Sequence, residues 1–244
     1  MSFTSRGVLA DAATLWRAER ELLVPLAGLF FVVPTLAAVL LVSGLQLPDT
    51  PDPEKMRAAI GAFYTAHWPM IVAIGLAMDF GSFAIFNLYL QGGGRTLGEV
   101  LLLTVKRFAG FFVISTLASI LFSFGIGLIL PGLFVLARTW LAGPAYAAEP
   151  GQGVFGAFRA GWQRSAGLSG FGLLGLGSMI MFVSFALVVI AGGILGTIAA
   201  VTHATQVVEI LSYLVTAVIG GCAWTAFALI RISGYRLGAP KQGI

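Results

Sequence analysis

The chain has 244 residues, of which 58% are hydrophobic and only 10% charged, and its formal net charge is +4. A soluble domain carries about 25% charged residues, so a water-facing surface is excluded and lipid is the expected solvent. The basic balance comes from a few residues flanking apolar runs, which points to anionic headgroups; no Lys/Arg tract interleaved with aromatics suggests nucleic acid.

Residues 1–21 hold three Arg, one Asp and two Glu, and the apolar run Leu22–Leu45 is longer than a signal-peptide core. That run is expected to stay as the first membrane span, with Pro34 producing a kink, not an end. At roughly 20 residues per span, five more follow: His67–Leu90, Phe108–Leu130, Gly132–Ala148 after the Pro131-Gly132 break, the Gly-rich Gly167–Gly196, and Val207–Ile232. Six spans with short connections use the whole of residues 1–244 as one membrane domain.

Lys and Arg set the orientation. Arg6, Arg17, Arg20, Arg95, Lys106, Arg107, Arg159, Arg164, Arg231, Arg236 and Lys241 fall on one side, and only Lys55 and Arg57 on the other. Both termini are therefore expected in the cytoplasm of a bacterial cell, the protein being multi-pass in the inner (plasma) membrane, with the LPDTPDPEK loop outside.

The cytoplasmic segments share a layout: GVLADAATLWR at 7–17, RTLGEVLLLTVK at 95–106 and GVFGAFRAGWQR at 153–164. Each has an apolar residue near its start (Leu9, Leu97, Phe155), a basic residue eight or nine positions later (Arg17, Lys106, Arg164), and then two spans. The expected architecture is an all-α integral membrane protein: six transmembrane helices as three hairpins, each preceded by an interfacial amphipathic helix. Trp16 and Trp162 suit interfacial anchoring. Small residues repeat every four positions at Ser115, Ser119, Ser123 and Gly127, at Ala73, Ala77 and Gly81, at Gly192 and Gly196, and at Thr216 and Gly220. Such stripes are expected to pack helices within the bundle, or to form a homo-oligomer face.

Asp79 and Arg138 are the full charges placed deep inside predicted spans, where an ionisable group costs about 2.5 kcal/mol or more and calls for a partner or a function. Their helices run in the same direction, and the expected depths differ by only ~9 Å at 1.5 Å per residue. A long Arg side chain covers much of that, so a buried ion pair is one expectation and a polar cavity for a headgroup another. Glu149 lies eleven residues after Arg138, on the same helix face. It is placed to cap the amphipathic helix that follows.

No catalytic residues are assigned. His67 and His203 stand alone, Glu209 near His203 makes no metal cluster, and Cys222 reads as a packing residue. The run Gln91–Thr96 (QGGGRT) lacks the spacing of a phosphate loop and reads as a turn; GxSxG and Ser-x-x-Lys are absent. No metal and no cofactor is expected.

The segment ILPGLFVLARTWLAGPAYAAEPGQGVFGAFRAGWQRSAG, residues 129–167, resembles the signature of the YciC-like inner-membrane proteins. A similar pattern occurs in the membrane domain of some glycerophosphodiester phosphodiesterases. The matching positions are Pro131, Gly132, Arg138, Glu149, Ala157, Trp162, Arg164 and Ser165. The chain departs from the pattern at Gly143-Pro144 and at Pro150, without disturbing the predicted spans. That family is largely without assigned function, so the resemblance implies no catalytic residue and at most a phospholipid-related role.

The leading expectation is a non-enzymatic membrane protein that binds or handles a phospholipid or small amphiphile, with the groove by Arg138 as the headgroup site, or that assists a membrane partner. A secondary transporter and a structural or assembly subunit of a membrane complex are the alternatives. The expected partners are the bilayer, anionic phospholipid in particular, and a membrane protein or second copy of the chain.

Overall fold

The computed structural model describes residues 4–48, 52–92, 94–126, 130–166, 168–202 and 204–238. Every regular element among them is helical: α1 (Ser5–Ala27), a π-helical turn (Gly28–Val32), α2 (Val33–Ser43), α3 (Pro53–Leu90), α4 (Leu97–Ile126), α5 (Leu130–Thr139), α6 (Ala142–Ala148), α7 (Val154–Arg164), α8 (Leu168–Thr202) and α9 (Thr205–Leu237). Five segments are long and apolar enough to cross a membrane: 5–43, 53–90, 97–124, 170–202 and 205–237. This is a helical membrane protein.

The first segment passes through Pro34 without ending. A proline cannot donate to the carbonyl four residues back, and the π-helical turn just before it absorbs the mismatch, with the Val33 N–H reaching Gly28 O. The amphipathic stretch 7–17 is set off from the span by a non-helical residue, Glu19 (φ −127°, ψ 24°). The third such stretch is a separate helix, α7. The second, 95–106, is not separate: α4 runs unbroken from Leu97 into its span. The loop expected at 47–55 is shortened because Asp52 caps α3, accepting from the Glu54 and Lys55 N–H groups at 3.0 and 3.4 Å, with Pro53 in the first turn.

The expected fourth span, Gly132–Ala148, is the main correction. It is two short helices, α5 and α6, separated at Trp140–Leu141. The cause lies at Pro144. A continuous helix would bond the N–H of residue 144 to the carbonyl of Trp140, and proline has no N–H and crowds that carbonyl. The helix therefore turns at Leu141 (φ −89°, ψ 0°), and Ala145 N–H reaches Leu141 O at 3.0 Å. Gly143-Pro144 does disturb the span.

The core gathers at the end of the bundle that holds α6, α7 and the C-terminal turns of α3. Every residue from Gly81 to Leu88 is buried, so this stretch of α3 is enclosed on all sides by α1, α4, α6 and α9. Phe83 stacks on Phe111 of α4, centroids 4.5 Å apart and planes 14° apart. Asn87 donates to Thr104 Oγ1 at 3.1 Å, a buried polar tie between α3 and α4. At the other extreme, much of α8 is bare to its surroundings: Phe182, Phe185 and Val201 are 73%, 68% and 74% exposed, as lipid-facing residues are.

The small-residue stripes divide in role. A Cβ on Gly220 would sit 2.7 Å from Thr35 Cγ2, so that stripe packs α9 on α2. Gly192 and Gly196 meet nothing within 4 Å. Gly127 lies outside the described residues. A tight approach to backbone joins α6 and α7, where a Cβ on Gly161 would lie 2.6 Å from the Ala142 nitrogen. Backbone atoms cannot step aside, so Gly161→Ala is expected to destabilise the fold by about 2 kcal/mol. Gly192→Ala should leave thermal unfolding in detergent unchanged or slightly raised; equal melting temperatures for the two variants would contradict this packing.

Candidate functional site

Breaking a helix inside an apolar bundle frees backbone carbonyls, and each must find a donor. The structure provides one for each exposed end of the 130–148 segment. Arg231 of α9 donates from Nε to Trp140 O at 3.0 Å, occupying the place left by the missing Pro144 N–H. At the far end of α6, Arg107 of α4 donates to Tyr146 O, and to Ala147 O at 3.3 Å. Gln91, which follows α3, also donates to Ala147 O. The buried Ser165 hydroxyl lies 3.0 Å from Arg138 O and 2.8 Å from Gly161 O. Gln91 is placed by the end of α3, where its N–H reaches Asn87 O, and Gly92 and Gly94 beyond it have positive φ (91° and 84°), a region open to glycine.

Arg231 has a site shaped for it. Its guanidinium carbon lies 4.9 Å from the Phe86 ring centroid. Gly143 clears its path: a Cβ there would be 3.0 Å from Arg231 Nη2 and 3.1 Å from Phe86. Gly143 and Pro144 thus act together, the glycine making room for the guanidinium and the proline exposing the carbonyl it binds. Arg231 also lines a cavity of about 490 Å³ between α3, α5, α8 and α9, walled mainly by Trp140, Trp224, Phe227, Leu133 and Met181, with Ser82 and Ser178 as its hydroxyls.

Asp79 lies three residues before Ser82 on α3, on the side that meets α4. It lines a groove of about 460 Å³ against α4, with Ser115, Thr116, Ser119 and Ser123. The stripe expected to be a packing face therefore lines a groove, together with Ile120 and Phe124. Ser115 lies beside Asp79 in this groove, and Asp79 and Arg231 attract one another without forming a salt bridge.

The ion pair of Asp79 with Arg138 does not form. Arg138 lies over Trp162 at 4.7 Å and over Phe134 at 5.9 Å, and the two rings meet edge to face, tying α5 to α7. Nor does Glu149 cap α7, whose first residue follows Gly153 without a side-chain cap. Glu149 pairs with Arg164 at the opposite end of α7, 3.9 Å away, and accepts from Tyr235 Oη at 3.4 Å. Arg164 lies over the Tyr235 ring at 3.9 Å and donates to Tyr235 O at 3.2 Å. The three expected site residues thus fall in three places. Arg138 and Glu149 fasten α7 to its neighbours, and Asp79 alone of the three borders an open groove.

Among the described residues there is no group of His, Cys, Asp and Glu able to hold a metal. His67 is exposed about four turns into α3, against Phe63, and His203 lies outside the described residues. Comparison with family models, curated proteins and solved structures found no match to this chain.

Arg231 was missed because the Lys/Arg count places it at the membrane edge. The helix in fact continues through Leu237, which sets Arg231 ~9 Å inside the end. Pro144, four residues after an otherwise unremarkable Trp140, was the available signal. A double-mutant cycle separates the two pairings. Asp79→Asn and Arg231→Gln should deviate from additivity in unfolding free energy by about 1 kcal/mol or more, and Asp79→Asn with Arg138→Ala should add within about 0.5 kcal/mol. The reverse pattern would reinstate Arg138 as the counter-charge.

Proposed function

We propose that this is a non-enzymatic, multi-pass inner-membrane protein, with both termini cytoplasmic, that binds an anionic amphiphile. The acid group sits at Arg231, and the hydrocarbon lies in the cavity between α3, α5, α8 and α9. The observation that supports this most is the composition of that cavity: one guanidinium and two hydroxyls in a wall otherwise aromatic and aliphatic. Its volume, about 490 Å³, falls in the range of small-molecule sites.

Magnitudes decide what selects the ligand. A tail that leaves bilayer for this cavity gains little, since lipid is as apolar as the wall. The discrimination rests on the head, where hydrogen bonds to a charged partner contribute about 1.5–3 kcal/mol. Arg138 is less suited to that role, because its guanidinium is stacked on Trp162. The resemblance to a family linked with phospholipid chemistry agrees with this reading. Secondary transport is the second reading, favoured by the polar groove at Asp79; it differs by requiring net flux across a vesicle bilayer.

Native mass spectrometry of the purified protein should show one acidic lipid or fatty acid retained, and extraction identifies which. Arg231→Gln should lower its occupancy about tenfold with helix content unchanged, and Arg138→Ala should retain it. A parent protein free of acidic lipid would defeat the reading.

A further inference from the structure

The cavity beside Arg231 is graded along its length. Arg231 stands at one end, and Trp224 lies seven residues back along α9, ~10 Å away at 1.5 Å per residue. The two hydroxyls fall between them. α8 and α9 follow one another directly in the chain and run antiparallel. A Cβ on Gly234 would meet Leu173 Cδ2 at 2.7 Å, which sets their register. Five residues on from Leu173 and five back from Gly234, that register puts Ser178 level with Leu229, ~3 Å along α9 from Arg231. On α3, the Arg231 guanidinium lies over Phe86 at 4.9 Å. Ser82 comes one turn before Phe86 on the same face, ~6 Å along the axis. Past the hydroxyls the wall is Leu133, Met181 and Trp224.

Ser82 is buried and its hydrogen is already engaged: the hydroxyl donates to Met78 O at 2.9 Å. What it offers the cavity is an oxygen lone pair, which only a donor can use. Arg231 offers the opposite, because a guanidinium donates and does not accept. A ligand that satisfies both has an anionic oxygen for Arg231 and, within about one helical turn, an O–H for Ser82. Charge restricts the anionic group. Arg231 carries one positive charge, and a dianion such as a phosphate monoester would leave net negative charge at membrane depth, which is costly. A carboxylate would not.

Building on the amphiphile reading, we propose that the ligand is a hydroxylated carboxylic acid with one hydrocarbon chain: the carboxylate binds Arg231, a hydroxyl on the second or third carbon donates to Ser82 Oγ, and the chain runs toward Met181 and Trp224. The size agrees. At roughly 30 Å³ for each water-sized group, a cavity of about 490 Å³ holds about sixteen such groups, which is a head and one chain.

The hydroxyl is selected as well as accommodated. An O–H that enters an apolar cavity and finds no acceptor is unfavourable, because it has left its hydrogen-bonding surroundings for nothing. With Ser82 in place the same group gains a bond. A serine that served only its own helix would leave the cavity without preference between hydroxylated and plain chains, so relative affinity separates the two roles.

The test uses the full chain in detergent at pH 8 and isothermal titration calorimetry with decanoate, 2-hydroxydecanoate and 3-hydroxydecanoate. The preference is the Kd of decanoate divided by that of the better hydroxy acid. It should fall about fivefold from the parent protein to Ser82→Ala, the share of one hydrogen bond between neutral groups, with the Kd of decanoate itself unchanged. Transfer of each probe from the micelles is common to both proteins and cancels. The methyl ether of the preferred hydroxy acid keeps the oxygen without its hydrogen, and should bind the parent protein less tightly than the hydroxy acid. That comparison needs no variant, so the test survives one that fails to fold. An equal preference in Ser82→Ala and the parent protein overturns the proposal, and so does a methyl ether that binds as tightly as the hydroxy acid. In either case, decanoate bound by the parent protein and weakened by Arg231→Gln leaves the amphiphile reading standing. If none of the three acids binds the parent protein, both readings fall.

Discussion

The hydrogen bond from Arg231 to the carbonyl of Trp140 organises this molecule. It exists because Pro144 leaves that carbonyl without its helical donor, and a free carbonyl in an apolar bundle is costly. Supplying the donor from α9 locks the broken segment 130–148 against the central helices and draws a permanent charge inward. One missing N–H thus fixes the position of Arg231 and of the cavity beside it.

The same logic recurs at the other end of the segment. Arg107 and Gln91 meet the last carbonyls of α6, and Ser165 meets Arg138 O at the approach to the break. Cations suit a helix C-terminus, where the backbone dipole is negative, so Arg107 is stabilised by position as well as by its bonds. Arg138 on Trp162 ties α5 to α7, and Arg164 ties α7 to Glu149 and to Tyr235 of α9. Gly143 and Pro144 form the seat of Arg231. The fastening and the candidate site are therefore different residues on the same short segment.

Hydropathy alone marked five of the six expected spans, because composition over 20 residues decides solubility in lipid whatever the local geometry. It failed between 132 and 148 because a hydropathy window does not register the loss of one hydrogen bond. Pro34 and Pro144 look alike in sequence. At Pro34 a π-helical turn accommodates the ring and the helix continues; at Pro144 an Arg from a distant helix rewards the break. That difference depends on Arg231, 87 residues further along the chain, and no local pattern contains it. The groove was half visible: Asp79 stood out as a charge and Ser115, Ser119 and Ser123 as a stripe, but their facing each other depends on how α3 and α4 are rotated.

The choice of arginine at 231 follows from the two tasks. A guanidinium has five N–H donors in a plane. Nε serves Trp140 O, and Nη2 lies beside Gly143, leaving the terminal amino groups to present hydrogens to an anion in the cavity. A lysine has one nitrogen at the end of a flexible stem. To cap Trp140 it would have to place its whole charge there, and a ligand in the cavity would compete with the bond that holds the broken segment. Arginine separates the structural donor from the recognising donors, so a ligand can come and go without releasing the carbonyl. The fold can therefore keep a cation at this depth permanently while a ligand exchanges beside it.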